Sequence, residues 1–287
     1  MKRLAALPMY VRFLVAFVFL LCPWQMRTAT AQERFVSAAE FRIWKNFHSK
    51  FLSTDRDVMA WLPPGYDAEP TKHYPVLYMH DGGSVFVLWR IDEIAKPLIA
   101  SGEVEPLIIV MVYNGGAART DEYTPSRPAR SRFGGKADAY GRMLVEELKP
   151  FIDSELRTLT DAANTGVGGA SLGGIASLYL GLKYPRVFGK LGVMSPSVWW
   201  DDKLMVRSVK GLKSKPDLRI WLDTGTDEGP RTLPDAKELR DALITKGWTL
   251  NSDLMYFEAK GATHDEESFA KRAAPLLKFL FPGHAQN

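Results

Sequence analysis

Short apolar runs alternate with longer amphipathic stretches along most of the chain. Residues 74–79 and 107–113 are continuously apolar, which is typical of strands buried on both faces of a sheet. Shorter runs of the same kind predict further strands at 191–194, 218–222 and 254–257, and the stretches between them predict helices at 91–100, 137–156, 234–246 and 266–279. Strands that alternate with helices in this way predict an α/β fold with a mostly parallel sheet covered on both faces.

Three regions depart from this simple alternation. Residues 46–52 and 56–62 predict the two strands of a hairpin. Residues 114–136 have no periodicity and contain several Gly, Pro and Arg, which predicts a long loop that is either functional or disordered. Pro150 is expected to split or kink the helix in which it lies. Because no repeat or linker interrupts the sequence, residues 32–287 are predicted to form one domain.

The N-terminal segment has a composition of its own. Lys2 and Arg3 precede an apolar run at 13–21 that is too short to span a bilayer comfortably, and an Ala-Thr-Ala cleavage site follows it. This order predicts a secretory signal peptide at 1–31 and a mature protein that is periplasmic or secreted, without a stable membrane anchor. Cys22 follows Leu rather than a small residue, so a lipoprotein attachment site is the weaker alternative.

Removal of this segment changes two further inferences. The whole chain has a formal charge of +4, and the segment carries Lys2, Arg3, Arg12 and Arg27 but no acid, so the mature chain is close to neutral. A neutral chain gives no reason to expect a nucleic-acid partner. The single cysteine leaves with the segment, which excludes a disulfide, a cysteine nucleophile and a cysteine metal cluster from the mature protein. We expect no metal and no cofactor.

The segment Gly169-Ala-Ser171-Leu-Gly173 matches the pattern G-x-S-x-G and lies between a predicted short strand around Val167 and a predicted helix that begins at Leu172. In a nucleophile elbow, this pattern places a serine on a sharp strand-to-helix turn with its hydroxyl exposed above the sheet. The flanking glycines let neighbouring backbone approach closely. An ordinary glycine-rich turn is the alternative, but the strand before the motif and the helix after it favour Ser171 as a nucleophile. The amide of Leu172 would then face the reacting carbonyl oxygen.

A serine nucleophile needs a base within hydrogen-bond reach and an acid that orients the base. The elbow architecture predicts the chain order Ser, then Asp or Glu, then His. Only two histidines follow Ser171, and His284 belongs to the C-terminal tail. His264, in the loop after the last predicted strand, is therefore the candidate base, with a solvated surface histidine as the alternative.

Three acids follow the predicted strand at 218–222 and could orient the base. Asp223 is close enough to the strand to cap the turn. Asp227 and Glu228 lie further into the loop, where a side chain can reach back to an imidazole, and the residues alone leave both open.

His80 begins the segment His80-Asp-Gly-Gly83, which follows the apolar run at 74–79. We interpret this histidine as structural. The backbone amide of Gly83 or Gly82 can supply the second oxyanion donor beside Leu172, and loss of one such donor typically costs about 10²–10³ in turnover.

Further motifs occur in chain order: Trp61-Leu-Pro-Pro-Gly-Tyr66, Tyr74-Pro-Val-Leu-Tyr78 with Asp81-Gly82, Arg119 with Tyr123-Thr-Pro125, Gly169-Ala-Ser-Leu-Gly-Gly174, Tyr184-Pro185 with Val187-Phe-Gly189, Ser195-Pro-Ser-Val-Trp-Trp200, and Gly261-Ala-Thr-His264-Asp-Glu-Glu267-Ser. With these motifs, nearly the whole mature chain resembles the putative-esterase family of α/β-hydrolases. That family includes siderophore trilactone esterases, feruloyl and acetyl esterases, S-formylglutathione hydrolases and mycolyltransferases.

The resemblance implies an α/β-hydrolase fold and a serine carboxylesterase that works through an acyl-enzyme, and the predicted signal peptide makes this an exported enzyme. The family's acid tends to end a G-x-x-[DE] turn, which Gly225-Thr-Asp-Glu228 matches. The resemblance therefore puts Glu228 first as the acid and leaves Asp227 as the alternative. The signal peptide argues against the S-formylglutathione hydrolase branch, so the implied substrate is a small-molecule or carbohydrate-linked ester, such as a siderophore trilactone or a hydroxycinnamoyl or acetyl sugar ester.

Charged and aromatic residues near these motifs allow two interpretations. Arg119, with Arg127, Arg130 and Arg132 in the same long loop, either meets an anionic substrate or belongs to a solvated loop. Trp199 and Trp200, together with Phe86 and Trp89, either form an apolar wall for an aryl or sugar ring or pack under long loops. The resemblance also leaves two alternatives to hydrolysis: a non-catalytic ligand-binding protein on the same fold, and an acyltransferase that uses the same residues.

Overall fold

The computed structural model describes residue 37 and residues 39–283 of the chain. The predicted signal peptide at 1–31 and the tail histidine, His284, lie outside the described residues.

In the described part of the chain, eight strands form one sheet in the order β1-β2-β4-β3-β5-β6-β7-β8. Their bounds are β1 (Phe41–Phe47), β2 (Arg56–Trp61), β3 (Val76–Met79), β4 (Ile108–Val112), β5 (Thr165–Ala170), β6 (Lys190–Met194), β7 (Arg219–Gly225) and β8 (Leu254–Ala259). Strand β2 runs antiparallel to both β1 and β4, and every pairing from β4 to β8 is parallel. The prediction of a mostly parallel sheet is confirmed.

The helices follow the strands in turn. Their bounds are α1 (Gly82–Val87), α2 (Ile91–Ala100), α3 (Arg119–Tyr123), α4 (Ala137–Arg142), α5 (Lys149–Glu155), α6 (Leu172–Lys183), α7 (Trp200–Lys210), α8 (Thr232–Lys246) and α9 (Glu266–Leu280). A π-helical turn over Met143–Leu148 joins α4 to α5 and ends two residues before Pro150. Because proline has no N–H for the carbonyl four residues earlier, the helix widens at the position where a kink was expected.

Apolar side chains on both faces of the sheet form the core. In β3, Val76 and Tyr78 belong to one cluster, while Leu77 and Met79 belong to the other. Helices α4 to α8 contribute to the first cluster, and α1, α2 and α9 contribute to the second. The continuous apolar runs in the sequence therefore reflect burial on both faces, as expected for parallel strands.

Two sequence predictions about local structure are wrong. The first strand is Phe41–Phe47 rather than 46–52, and Phe51 and Leu52 instead pack against the core from a turn. Strand β1 lies at the edge of the sheet and is half exposed, so its own sequence carries little burial signal. Helix α3 lies inside the predicted loop at 114–136.

Within the described residues, no helix is both long enough and apolar enough to cross a membrane.

Candidate active site

Ser171 occupies the junction between β5 and α6 with φ 61° and ψ −120°. Such a backbone conformation costs on the order of 1–3 kcal/mol for a residue with a side chain and persists only where the surroundings enforce it. The Ser171 amide donates to the carbonyl of Met194 at 3.0 Å, which ties the turn to β6. A Cβ on Gly174 would lie 2.7 Å from that same carbonyl oxygen, so the close approach of the turn requires glycine there.

His264 and Glu228 meet across two loops that follow neighbouring strands. Nδ1 of His264 lies 2.9 Å from Oε2 of Glu228. A carboxylate can only accept hydrogen bonds, so Nδ1 carries the proton and Nε2 of the neutral ring is left as an acceptor. Glu228 thus fixes the tautomer in which Nε2 of His264 can accept a proton.

The Glu228 carboxylate is fully buried, and both of its oxygens are hydrogen-bonded. Its Oε1 accepts from the Ser195 hydroxyl at 2.5 Å, the Gly225 amide at 2.7 Å and Nη2 of Arg272 at 3.2 Å. Burial acts to raise the pKa of Glu228, but the hydrogen bonds from His264 and Ser195 lower it, and the net pKa lies below its ordinary value. Glu228 is therefore an ionised partner for the imidazole.

The other two candidate acids point elsewhere. Asp227 is exposed, and its carboxylate accepts from the Thr226 hydroxyl at 3.0 Å. The position of Asp223 suggested that it caps the turn, but its carboxylate has other partners. It is fully buried and accepts from Nη1 of Arg272 at 2.7 Å and from the indole N–H of Trp221 at 2.7 Å.

Ser171 and His264 together line two cavities. The first, of about 380 Å³, is also bordered by Asp81, Trp89, Arg119 and Phe269. The second, of about 280 Å³, is bordered by Ser197, Trp199, Glu228 and Asp235 as well. An ester held between them would have room for one group on each side of the serine.

The residues predicted to supply the oxyanion donors lie at the starts of two helices. Gly82 and Gly83 are the first residues of α1, and Leu172 is the first residue of α6. Amides in the first turn of a helix have no acceptor within that helix, so they are available to a developing negative charge. A Cβ on Gly82 would lie 2.7 Å from the backbone carbon of Met111, which explains why α1 can approach β4 so closely only with glycine.

Arg119 borders the first cavity, but it is already paired. Its Nε and Nη2 donate to the two carboxylate oxygens of Asp81 at 2.7 and 2.8 Å. Asn114 donates to Asp81 as well, at 2.7 Å. Arg119 is therefore held by Asp81 as a fixed polar side of the cavity and is not a free cation. By contrast, Arg127, Arg130 and Arg132 are exposed and form no ion pair with the described residues.

The two neighbouring tryptophans occupy different environments. Trp199 is 50% exposed and borders the second cavity. Trp200 is 7% exposed, and its indole N–H donates to the carbonyl of Ser126 at 3.0 Å. The structure thus favours the wall interpretation for Trp199 and the packing interpretation for Trp200.

Sequence reasoning assigned no role to two residues that contact the site. Ser197 Oγ lies 3.3 Å from Ser171 Oγ, and Arg272 contacts the acid Glu228 from α9. The motif Ser195-Pro-Ser-Val-Trp-Trp200 was a signal for the first, because it follows the strand next to the elbow. An arginine on the buried face of the last helix was a signal for the second.

His80 is buried beneath the elbow, as a structural residue would be. Its Nδ1 lies 2.8 Å from the Tyr140 hydroxyl, and burial lowers its pKa to about 4. Among the described residues, no group of three or more His, Cys, Asp or Glu side chains is arranged to hold a metal ion.

A mostly parallel sheet with helices on both faces, and a serine at a strained strand-to-helix junction beside a His–Glu pair, define an α/β-hydrolase. Residues 49–279 match the family model described as "Putative esterase", so the chain belongs to that family. Both the family and the fold expected from the sequence are confirmed, and the protein is a carboxylic ester hydrolase by class.

The chain is also similar to curated proteins and, in fold, to solved structures. The chain is 28% identical to the uncharacterized protein YbbA of Bacillus subtilis over 81% of this chain and 95% of that one. It is 28% identical to an endo-1,4-beta-xylanase/feruloyl esterase of Xylanibacter ruminicola over 82% of this chain and 30% of that one. The crystal structure of the enterobactin esterase from Shigella flexneri superposes with a TM-score of 0.67 at 20% identity, covering 84% of this chain and 58% of that one.

Proposed function

We propose that the protein is an exported serine carboxylesterase with Ser171 as nucleophile, His264 as general base and Glu228 as the acid that orients the base. The observation that carries this proposal is the 2.9 Å contact between His264 Nδ1 and Glu228 Oε2, because it leaves Nε2 as the acceptor in a site shared with Ser171. Order along the chain agrees with the arrangement of an elbow hydrolase.

The reaction follows from these positions. His264 Nε2 takes the proton of the Ser171 hydroxyl as the oxygen attacks the ester carbonyl, and Glu228 stabilises the resulting imidazolium. The amides of Leu172 and Gly83 hold the oxyanion. His264 then protonates the departing alkoxide, the acyl group stays on Ser171, and a water molecule activated by His264 releases the acid.

The cavities suggest how an ester would lie. The first cavity presents Trp89 and Phe269 beside the Asp81–Arg119 pair, and the second presents Trp199 with the hydroxyl of Ser197 and the carboxylate of Asp235. Aromatic surfaces with a few fixed polar groups suit aryl and sugar rings. We therefore propose an aromatic or acetyl ester of a sugar as the substrate class, in line with the relative named as a feruloyl esterase.

A siderophore trilactone is the second candidate substrate. It is favoured by the structural similarity to an enterobactin esterase and by the exposed Arg127, Arg130 and Arg132 on the long loop. The hydrolysis of methyl ferulate, acetylated xylan and a catecholate trilactone, measured side by side, separates the two candidates. Product analysis with and without an acceptor alcohol separates hydrolysis from acyl transfer.

Covalent labelling tests the nucleophile. The protein without residues 1–31 should react with a fluorophosphonate probe at Ser171, and Ser171→Ala should abolish both labelling and ester turnover. Ser197→Ala is the matched control, since it removes the neighbouring hydroxyl and should still be labelled. A Ser171→Ala variant that keeps the parental turnover rejects the proposal, and one that keeps ligand affinity while the parent lacks hydrolysis supports a binding protein.

Export is part of the proposal and rests on the N-terminal sequence alone. The mature protein should be recovered outside the cytoplasm with Gln32 as its first residue, as read by N-terminal sequencing. Recovery of the full-length chain in the cytoplasm contradicts it.

A further inference from the structure

A buried charged cluster lies behind Glu228, on the side away from His264. From α9, Arg272 donates through Nη1 to Asp223 Oδ1 at 2.7 Å and to Ser195 Oγ at 2.9 Å, and through Nη2 to Glu228 Oε1 at 3.2 Å. The side chains of Arg272, Asp223 and Glu228 are 2%, 0% and 0% exposed. A single buried cation therefore serves two buried carboxylates.

Asp223 is anchored on its strand and cannot turn toward His264. Its Oδ1 accepts from the Ser195 amide at 3.0 Å as well as from Arg272, and its Oδ2 accepts from the Trp221 indole at 2.7 Å. The rigid fork of Arg272 spans from this fixed carboxylate to Glu228 Oε1. That contact holds Oε1, so Oε2 remains directed at the imidazole.

We propose that Arg272 and Asp223 form a positioning pair that holds Glu228 against His264 and sets the net charge that the imidazole experiences. The inference rests on the proposed roles of His264 and Glu228. With both carboxylates ionised, the cluster carries a net charge of −1, which becomes zero when His264 gains a proton. If Asp223 were neutral, Arg272 would cancel Glu228 and the cluster would stabilise the imidazolium less.

Several other charged groups face His264, and none of them changes in the test. Asp81, Arg119, Asp265 and Glu266 border the first cavity with it, and Asp235 borders the second. Burial raises the pKa of Asp223 to about 6, while Arg272 acts to lower it, so Asp223 is ionised above neutral pH. The charge count therefore applies at the pH at which an imidazole base works.

The test is the NMR titration of labelled His264 in a Ser171→Ala background, assigned with His264→Gln. Asp223→Asn should lower the pKa of His264 by about one pH unit, since it removes one nearby buried negative charge. Asp253→Asn is the matched control, because Asp253 is paired with Lys215 just before β8, at the end of the strand remote from the site. If the pair of Arg272 and Asp223 were merely structural, the pKa of His264 would be the same in Asp223→Asn and Asp253→Asn. That result overturns the proposal.

Ser195→Ala should shift the pKa of His264 in the opposite direction. It also keeps the proposal testable if Asp223→Asn does not fold. It removes a donor from Glu228 Oε1, which leaves more negative charge on the carboxylate, so the pKa of His264 should rise. An unchanged pKa in a folded Ser195→Ala variant overturns the proposal as well. Because the titration uses no turnover, a protein without esterase activity would contradict the proposed function and still report on the pair. In an active protein, the acidic limb of kcat/KM should move in the same directions.

Discussion

Glu228 uses its two oxygens for different purposes. Oε2 faces His264, while Oε1 receives three donors from the protein interior. Because three hydrogen bonds hold Oε1, the carboxylate keeps one orientation, and the histidine that contacts Oε2 keeps one tautomer. The exposed neighbour Asp227 has no comparable support.

Replacement of the acid tests this difference. Glu228→Gln should lower kcat/KM by about 10²- to 10⁴-fold with little change in KM, because an amide no longer stabilises the imidazolium or fixes its tautomer. Asp227→Asn should remain within about twofold of the parent, as an exposed substitution usually does. Steady-state kinetics on a p-nitrophenyl ester measure both, and the reverse ranking would make Asp227 the acid.

Sequence alone could point to some candidate site residues and not to others. Ser171 and His264 could be predicted because the elbow pattern is a local signal and the order of the three residue types along the chain is a second one. The choice between Asp227 and Glu228 depended on the family resemblance, since both residues are equally close to the strand. The contact between Arg272 and Glu228 joins residues far apart in sequence, and only the packing of α9 against the sheet brings them together.

At the scale of elements, the strands with two buried faces could be predicted from their apolar runs, and the edge strand could not. Among the described strands, β1 pairs with β2 alone, and it contains a register shift between Trp44 and Phe47. Helix α7 had no prediction, because the residues that follow Trp200 at its start are Asp201, Asp202 and Lys203, which are all charged and all in the left-handed region. Such a start has no pattern of helical spacing.

The start of α1 is an element whose position depends on one missing side chain. A Cβ on Gly82 would meet backbone atoms of Met111 and Val112 at 2.7 to 2.9 Å, and backbone cannot yield as a side-chain tip can. Gly82→Ala should therefore destabilise the protein by about 1–3 kcal/mol and displace the adjacent amide of Gly83, the proposed oxyanion donor. Urea denaturation and ester turnover measure the two effects.

Gly211→Ala is the control for that substitution. Gly211 ends α7 with φ −80°, a conformation that alanine adopts freely, and the nearest atom to its added Cβ lies at 3.3 Å. Its stability should stay within about 0.5 kcal/mol of the parent. Equal stability of Gly82→Ala and Gly211→Ala would contradict the close approach of α1 to β4.

At the scale of the whole molecule, two buried groups make stability depend on pH in opposite directions. Burial lowers the pKa of His80 from 6.5 to about 4. Between pH 6.5 and pH 4, the unfolded chain therefore binds a proton at this histidine and the folded chain does not. This contribution to stability is lost as the pH falls. Burial raises the pKa of Asp223 from 3.8 to about 6, so the folded chain keeps a proton that the unfolded chain releases, and stability rises as the pH falls.

In the parent, the opposite pH dependences of His80 and Asp223 partly cancel in the free energy of unfolding. A variant at His80 separates the two contributions. His80→Asn keeps a polar atom near the Tyr140 hydroxyl but removes the titration. Relative to the parent, the variant should gain about 3 kcal/mol between pH 7 and pH 4, because the step from 6.5 to about 4 corresponds to about 1.36 kcal/mol per pH unit. Urea unfolding across that range measures the difference, with His73→Gln, at an exposed histidine, as the control. A difference between His80→Asn and the parent that stays constant with pH would mean that His80 gains a proton as readily in the folded chain as in the unfolded one.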